Sequence, residues 1–159
     1  MSRFVIYLEL EPFVTQWLVN SFGNPVVFPA QSPENSTIRR FTMKMPSDKQ
    51  PEKPTEKSVA ICIPDSKSKD PMTFNFLGVH GKEAVAECIE DLFRRNMWSE
   101  LNDLSDCGCS VMKAIYSWCE MHNIDIDYAN TVRQRYYRIR EFYSRKNCSL
   151  MKTKRNRDE

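Results

Sequence analysis

The chain has 159 residues, of which 41% are hydrophobic, 11% aromatic and 28% charged. This composition is typical of a globular protein and excludes a fibrous or largely disordered chain. It contains no run of about 18 apolar residues, so the sequence predicts no membrane-spanning helix. The opening stretch MSRFVIYLELEP lacks the apolar core and cleavage site of a secretory signal. We therefore expect a cytoplasmic protein whose cysteines are reduced.

The net charge of +2 is distributed unevenly along the chain. Residues 131–159 carry ten Lys/Arg and three Asp/Glu, a local charge of +7. The remaining 13 basic and 18 acidic residues give −5 for residues 1–130. A basic end on an acidic body favours binding of that end to a polyanion or to an acidic protein.

The chain begins with a predicted strand and a predicted helix. In residues 3–10, RFVIYLEL, apolar side chains alternate on one face, which is the period of a strand. Phe13 and Trp17 then recur at helical spacing, and Gly23 is a typical residue to end a helix.

A second helix and a further strand are predicted before residue 80. Ser32 is a suitable N-cap for a helix with Pro33 in its first turn, carrying Ile38, Phe41 and Met45. The polar, proline-rich residues 46–57 predict a mobile loop. The stretch SVAICI at 58–63 predicts a strand.

From residue 82 onward the periodicity is helical only. Two amphipathic segments place apolar side chains on one stripe each, and 130–146 supplies a third helix. The sequence thus predicts a helix-dominated α+β fold in which short N-terminal strands with helices precede a three-helix C-terminal unit. Within one compact domain, 1–147, we expect an α+β part at 1–80 and the three-helix part at 82–147. A basic, flexible tail would follow at 148–159.

The third helix, NTVRQRYYRIREFYSRK, separates into an apolar stripe and basic flanks when it is projected at about 100° per residue. The predicted buried stripe consists of Val132, Tyr136, Ile139 and Tyr143. The predicted outward residues are Arg133, Tyr137, Arg138, Arg140, Arg145 and Lys146.

Several stretches together resemble a known family. They are VIYLELEPFVTQWL, VVFP, IPDSKSKDP, WSEL and YYRIREFY. In order and spacing they resemble a family of short, uncharacterised proteins from Bacteroides-type bacteria that is associated with mobile or phage-derived elements. The resemblance covers most of the chain and implies a role in DNA binding or element maintenance. It implies no catalytic residues.

The basic helix follows a predicted helix and a tight connection, as does the recognition helix of two-helix DNA-binding units. Arginine suits phosphate oxygens and guanine edges, so the six outward residues are candidates for contact with nucleic acid, first of all duplex DNA. The sequence leaves open two alternatives, which are a solvated helix face and a protein–protein adaptor of a mobile element whose basic face docks on an acidic partner.

Metal binding and catalysis have weaker support. Cys107, Cys109, Cys119 and His122 fall within sixteen residues and carry zinc-type ligands, but a C-x-C spacing is not that of a zinc knuckle. Cys119 also lies on the apolar stripe, where a thiol packs as a small hydrophobe. No motif places a nucleophile beside either histidine. We therefore expect a protein that is not an enzyme and holds no cofactor or metal.

Overall fold

The structure, a computed structural model, describes the backbone of residues 4–155 and the side chains of 4–104 and 107–146. It confirms a helix-dominated α+β fold. The chain divides into two compact units, Met1–Arg95 and Asn96–Glu159, so the division falls later than the one expected near residue 80.

The first unit contains a two-stranded antiparallel sheet of β1 (Val5–Glu9) and β3 (Ser58–Cys62). Both strands were predicted. Ile6 pairs with Ile61, and both side chains are buried. The apolar alternation of β1 therefore buries one face of the strand, as the sequence predicted.

Helix α1 (Pro12–Phe22) follows β1 and ends where the sequence predicted. Gly23 has a φ of 89°, a conformation that only glycine adopts without strain, and its N–H donates to the Val19 carbonyl at 2.8 Å. Trp17 is buried, and its ring packs edge-on against Phe93 with the ring centres 5.4 Å apart.

Helix α2 (Pro33–Phe41) begins with the predicted cap, since the Ser32 hydroxyl accepts a hydrogen bond from the Asn35 N–H at 3.2 Å. The side chain of Asn35 is buried and donates to the carbonyls of Phe28 and Pro29. These bonds fix the segment that precedes the helix.

The C-terminus of α2 is capped by a distant lysine. Lys69 Nζ donates to the carbonyls of Arg39, Arg40 and Thr42 at 2.9, 3.1 and 3.0 Å. A positive charge at these C-terminal carbonyls also complements the helix dipole.

A second two-stranded sheet was not predicted. It pairs β2 (Met43–Lys44) with β4 (Phe74–Phe76). Because the chain turns into β2 directly after α2, Met45 does not lie on the helix, which corrects the predicted extent of that segment. No residue of the predicted loop 46–57 lies in a helix or strand.

Helix α3 (Val79–Asp106) begins three residues earlier than predicted. Gly81 lies where α3 approaches α2 closely. A Cβ atom at this position would be only 3.2 Å from the Cβ of Phe41. The stripe that α3 buries runs at intervals of four residues and comprises Val85, Ile89, Phe93, Met97 and Leu101.

The second unit consists of the C-terminal part of α3, helix α4 (Val111–Met121), a short 3₁₀ turn (Ile126–Tyr128) and helix α5 (Ala129–Arg155). Helix α4 buries Ala114, Ile115, Trp118 and Cys119 against this unit. Of the predicted tail 148–159, residues 148–155 continue helix α5. The side chains of these residues, and all of 156–159, lie outside the described residues.

Helix α5 is much longer than its neighbour. At 1.5 Å per residue, α4 with 11 residues is about 16 Å long, and α5 with 27 is about 40 Å long. Accordingly α5 buries Val132 and Tyr136 near its start, whereas every side chain from 140 to 146 is exposed. The predicted burial of Tyr143 was therefore wrong, since this side chain is 43% exposed.

Candidate nucleic-acid interface on helix α5

The outward side of α5 forms one continuous surface, here called the arginine face. It is an open depression on the side of α5 away from Val132 and Tyr136, lined by Arg133, Gln134, Tyr137, Arg138, Arg140, Glu141 and Ser144. Four of the six predicted contact residues, namely Arg133, Tyr137, Arg138 and Arg140, therefore line this face together.

Three guanidinium groups of the arginine face have no partner among the side chains that the structure describes. Among the described residues, Arg133, Arg138 and Arg140 make no hydrogen bond or ion pair. Arg138 and Arg140 are exposed, while Arg133, predicted to face outward, is half-buried, since it lies near the packed start of the helix. The donors of all three arginines thus remain available to an external anion.

The other two predicted cations are engaged within the helix. Arg145 lies 3.5 Å from the Glu141 carboxylate, and Lys146 Nζ lies 5.0 Å from the centre of the Phe142 ring. Both contacts are solvent-exposed and weak, so an anion can displace them. Arg145 and Lys146 thus differ from Arg133, Arg138 and Arg140, which make no such contact among the described residues.

Tyr137 lies within the arginine face, and its side chain is 44% exposed. Its ring packs edge-on against Tyr136, with centres 5.8 Å apart and an interplanar angle of 61°. Tyr136 in turn is buried and donates through its hydroxyl to Asn102 Oδ1 at 3.3 Å. One ring is thereby anchored in the unit and supports the other.

Aromatic contacts position α5 within the second unit. Trp98 packs against Tyr136 and stacks on Tyr143, with ring centres 5.4 and 5.1 Å apart. The stacking keeps Tyr143 close to the unit although it is partly exposed. These contacts fix the rotation of α5, and so determine which side faces outward.

Polar contacts connect α4 to α3 in the same unit. Glu100 Oε2 accepts a hydrogen bond from Trp118 Nε1 at 2.7 Å and lies 2.5 Å from His122 Nε2. The rings of Trp118 and His122 are also in contact, with centres 4.8 Å apart. His122, a predicted alternative zinc ligand, therefore has a structural partner.

The cysteines considered for zinc differ in environment. Cys107 and Cys109 are exposed, whereas Cys119 is fully buried, and burial raises its thiol pKa from 9.0 to about 11. No group of three metal-binding side chains occurs among the described residues. The cysteines and His122 thus share a sequence segment without forming a cluster.

Three further residues that were not predicted as part of the interface also line the arginine face, namely Gln134, Glu141 and Ser144. Their positions in the helical projection place them beside Tyr137, so the signal was present. Glu141 is notable because it brings a negative charge to a face that is otherwise basic.

Comparison of this chain with protein-family models, with curated proteins and with solved structures found no match. In the part of the chain that the structure describes, no helix is both long and apolar enough to cross a membrane.

Proposed function

We propose that the protein is a non-enzymatic bacterial DNA-binding protein that contacts DNA through the arginine face of α5. The observation that carries this proposal is that three arginines on one side of a helix make no hydrogen bond or ion pair within the described part of the chain. A buried guanidinium group is normally paired within the fold, whereas a guanidinium group that reaches solvent can exchange water for an external anion. Guanidinium groups left free on one face can donate hydrogen bonds to the phosphate oxygens of a nucleic acid.

The charge of the whole chain supports the same proposal. Residues 131–159 have a net charge of +7 on a body of −5, so the basic end would be steered toward DNA and the remainder away from it. Arg145 and Lys146 extend the basic surface toward the end of the described part of α5. We also propose that the protein acts in the maintenance of a mobile element. This part of the proposal rests only on the resemblance of the sequence to the family described above.

The proposal is tested by reversing two charges on the arginine face. The double variant Arg138→Glu, Arg140→Glu is expected to bind a labelled DNA at least about 100-fold more weakly, since each hydrogen bond to a charged group contributes about 1.5–3 kcal/mol. Fluorescence anisotropy at about 50 mM salt measures this change. Both side chains are exposed, so the variant should fold as the parent does.

Lys113→Glu, combined with Lys67→Glu, is the matched control. It makes the same change in net charge at exposed positions off the arginine face. Glutamate at 113 also completes a capping box with Ser110, which already caps α4, so the fold is not weakened there. Equal loss of affinity in both double variants, or no DNA binding by the parent, would refute the proposal. Preferential binding of an acidic polypeptide would instead identify a protein-docking adaptor.

A further inference from the structure

Tyr137 is placed to contact a nucleobase. We propose that the arginine face binds DNA that offers unpaired bases, with one base stacked on the ring of Tyr137 and the adjoining phosphates held by Arg133, Arg138 and Arg140. This inference rests on the proposed function and narrows its ligand from duplex DNA, which the sequence favoured, to single-stranded DNA.

The three arginines lie on either side of Tyr137 along the helix, over about two turns. Arg133 precedes it by four residues and Arg140 follows it by three, which are the spacings of neighbours on a helix surface, and Arg138 is adjacent in sequence. All four side chains line the same open depression. A base on the ring would therefore have its flanking phosphates within reach of long, flexible cations.

The ring of Tyr137 is supported before any ligand binds. Its edge contact with Tyr136, which is itself buried and hydrogen-bonded to Asn102, restricts the ring while 44% of the side chain stays accessible. A restricted ring loses little conformational entropy when a base stacks on it. The Tyr137 ring is therefore pre-organised to stack with one base.

A duplex cannot use this surface well. Within a duplex both faces of each base are covered by neighbouring bases, so a side chain on a helix surface meets base edges and phosphates unless a base step is unstacked, which costs about a few kcal/mol. An unpaired base can present its face to an aromatic ring, a contact that contributes about 1–3 kcal/mol per base and tolerates any sequence. An exposed tyrosine amid free arginines therefore favours a single strand.

The other exposed aromatic side chains of α5 are less suitable. Phe142 is 55% exposed but lies under Lys146, and it does not line the arginine face. Tyr143 already stacks on Trp98. Among the described residues, Tyr137 is thus the one aromatic side chain that lines the face with the free arginines.

The test uses three labelled ligands of equal length, namely a single-stranded oligothymidylate, the same strand with abasic sites in place of its bases, and a duplex. The full chain is expected to bind the oligothymidylate about 10-fold more tightly than the abasic strand, because only the former can stack. Tyr137→Leu should abolish this difference, while Tyr137→Phe should retain it. Phe142→Leu is the matched control, and it should leave the difference unchanged.

The outcomes separate this inference from the proposed function. If the abasic strand or the duplex binds as tightly as the oligothymidylate, and Arg138→Glu, Arg140→Glu still weakens all three, stacking is refuted and DNA binding stands. If none of the three ligands binds, both proposals are refuted. If polyglutamate binds as tightly as the oligothymidylate, the face recognises acidic protein, and both proposals are again refuted.

Discussion

Burial controls the chemistry of single residues in this protein, and Cys119 is the clearest case. Its thiol is enclosed in the second unit, and desolvation of the thiolate raises its pKa from 9.0 to about 11. Burial also raises the pKa of Cys62 in the first unit. Both thiols should therefore stay protonated and unreactive at neutral pH.

This shift predicts a loss of stability at alkaline pH. Because the folded pKa is above the unfolded one, the unfolded thiol ionises first, and the contribution of Cys119 is complete below pH 9 and decreases as the pH rises toward about 11. Urea unfolding between pH 8 and 11 measures this loss in the parent and in Cys119→Ala. The free energy of unfolding should fall with pH less steeply in the variant, and the two slopes should differ by up to about 1.4 kcal/mol per pH unit. Parallel curves would contradict the assigned cause.

At the scale of elements, Lys69 shows how a distant side chain ends a helix. Its ammonium group satisfies three carbonyls at the C-terminus of α2. Lys69→Met keeps the aliphatic stem but removes the donors, and should lower the free energy of unfolding by about 1–3 kcal/mol. Equilibrium unfolding in urea measures the change.

Lys67→Met supplies the control for this prediction. Lys67 is exposed, belongs to the same turn and makes no hydrogen bond, ion pair or ring contact among the described residues, so its replacement should alter stability by less than about 0.5 kcal/mol. Equal effects at the two lysines would show that the capping bonds contribute nothing.

The sequence predicted those elements whose ends are determined by local chemistry. Gly23 and the Ser32 cap act on residues within one turn, so the ends they set could be located without a structure. Strands β2 and β4 were missed because they are short and are stabilised by pairing across some thirty residues. The role of Lys69 was missed for the same reason, as its partners lie 27 to 30 residues away.

Part of the candidate interface could be predicted because its residues lie on a single helix. Helical periodicity placed Tyr137, Arg138 and Arg140 on an outward face, and the structure brings them together. Periodicity does not show how much of a helix its neighbours cover, however. Tyr143 was assigned to the core because the apolar periodicity of α5 continues along the helix, although α5 is longer than α4 and its side chains from 140 to 146 are exposed.

At the scale of the whole molecule, the charge is divided along the sequence into an acidic segment, 1–130, and a basic segment, 131–159. The described part of α5 carries the three free arginines, and the residues beyond 146 add further Lys/Arg to the same end of the sequence. A molecule polarised in this way should bind polyanions in a strongly salt-dependent manner, because each phosphate contact releases condensed counterions.

The dependence of DNA affinity on salt concentration tests the central claim most directly. If the three free arginines each neutralise one phosphate, a plot of log K against log salt for single-stranded DNA should have a slope at least as steep as about −2, since each contact contributes about −0.7. The slope for Arg138→Glu, Arg140→Glu should be shallower by about 1.4 or more. Binding that does not vary with salt, or an unchanged slope in the double variant, would contradict the assignment of the arginine face as the DNA-binding surface.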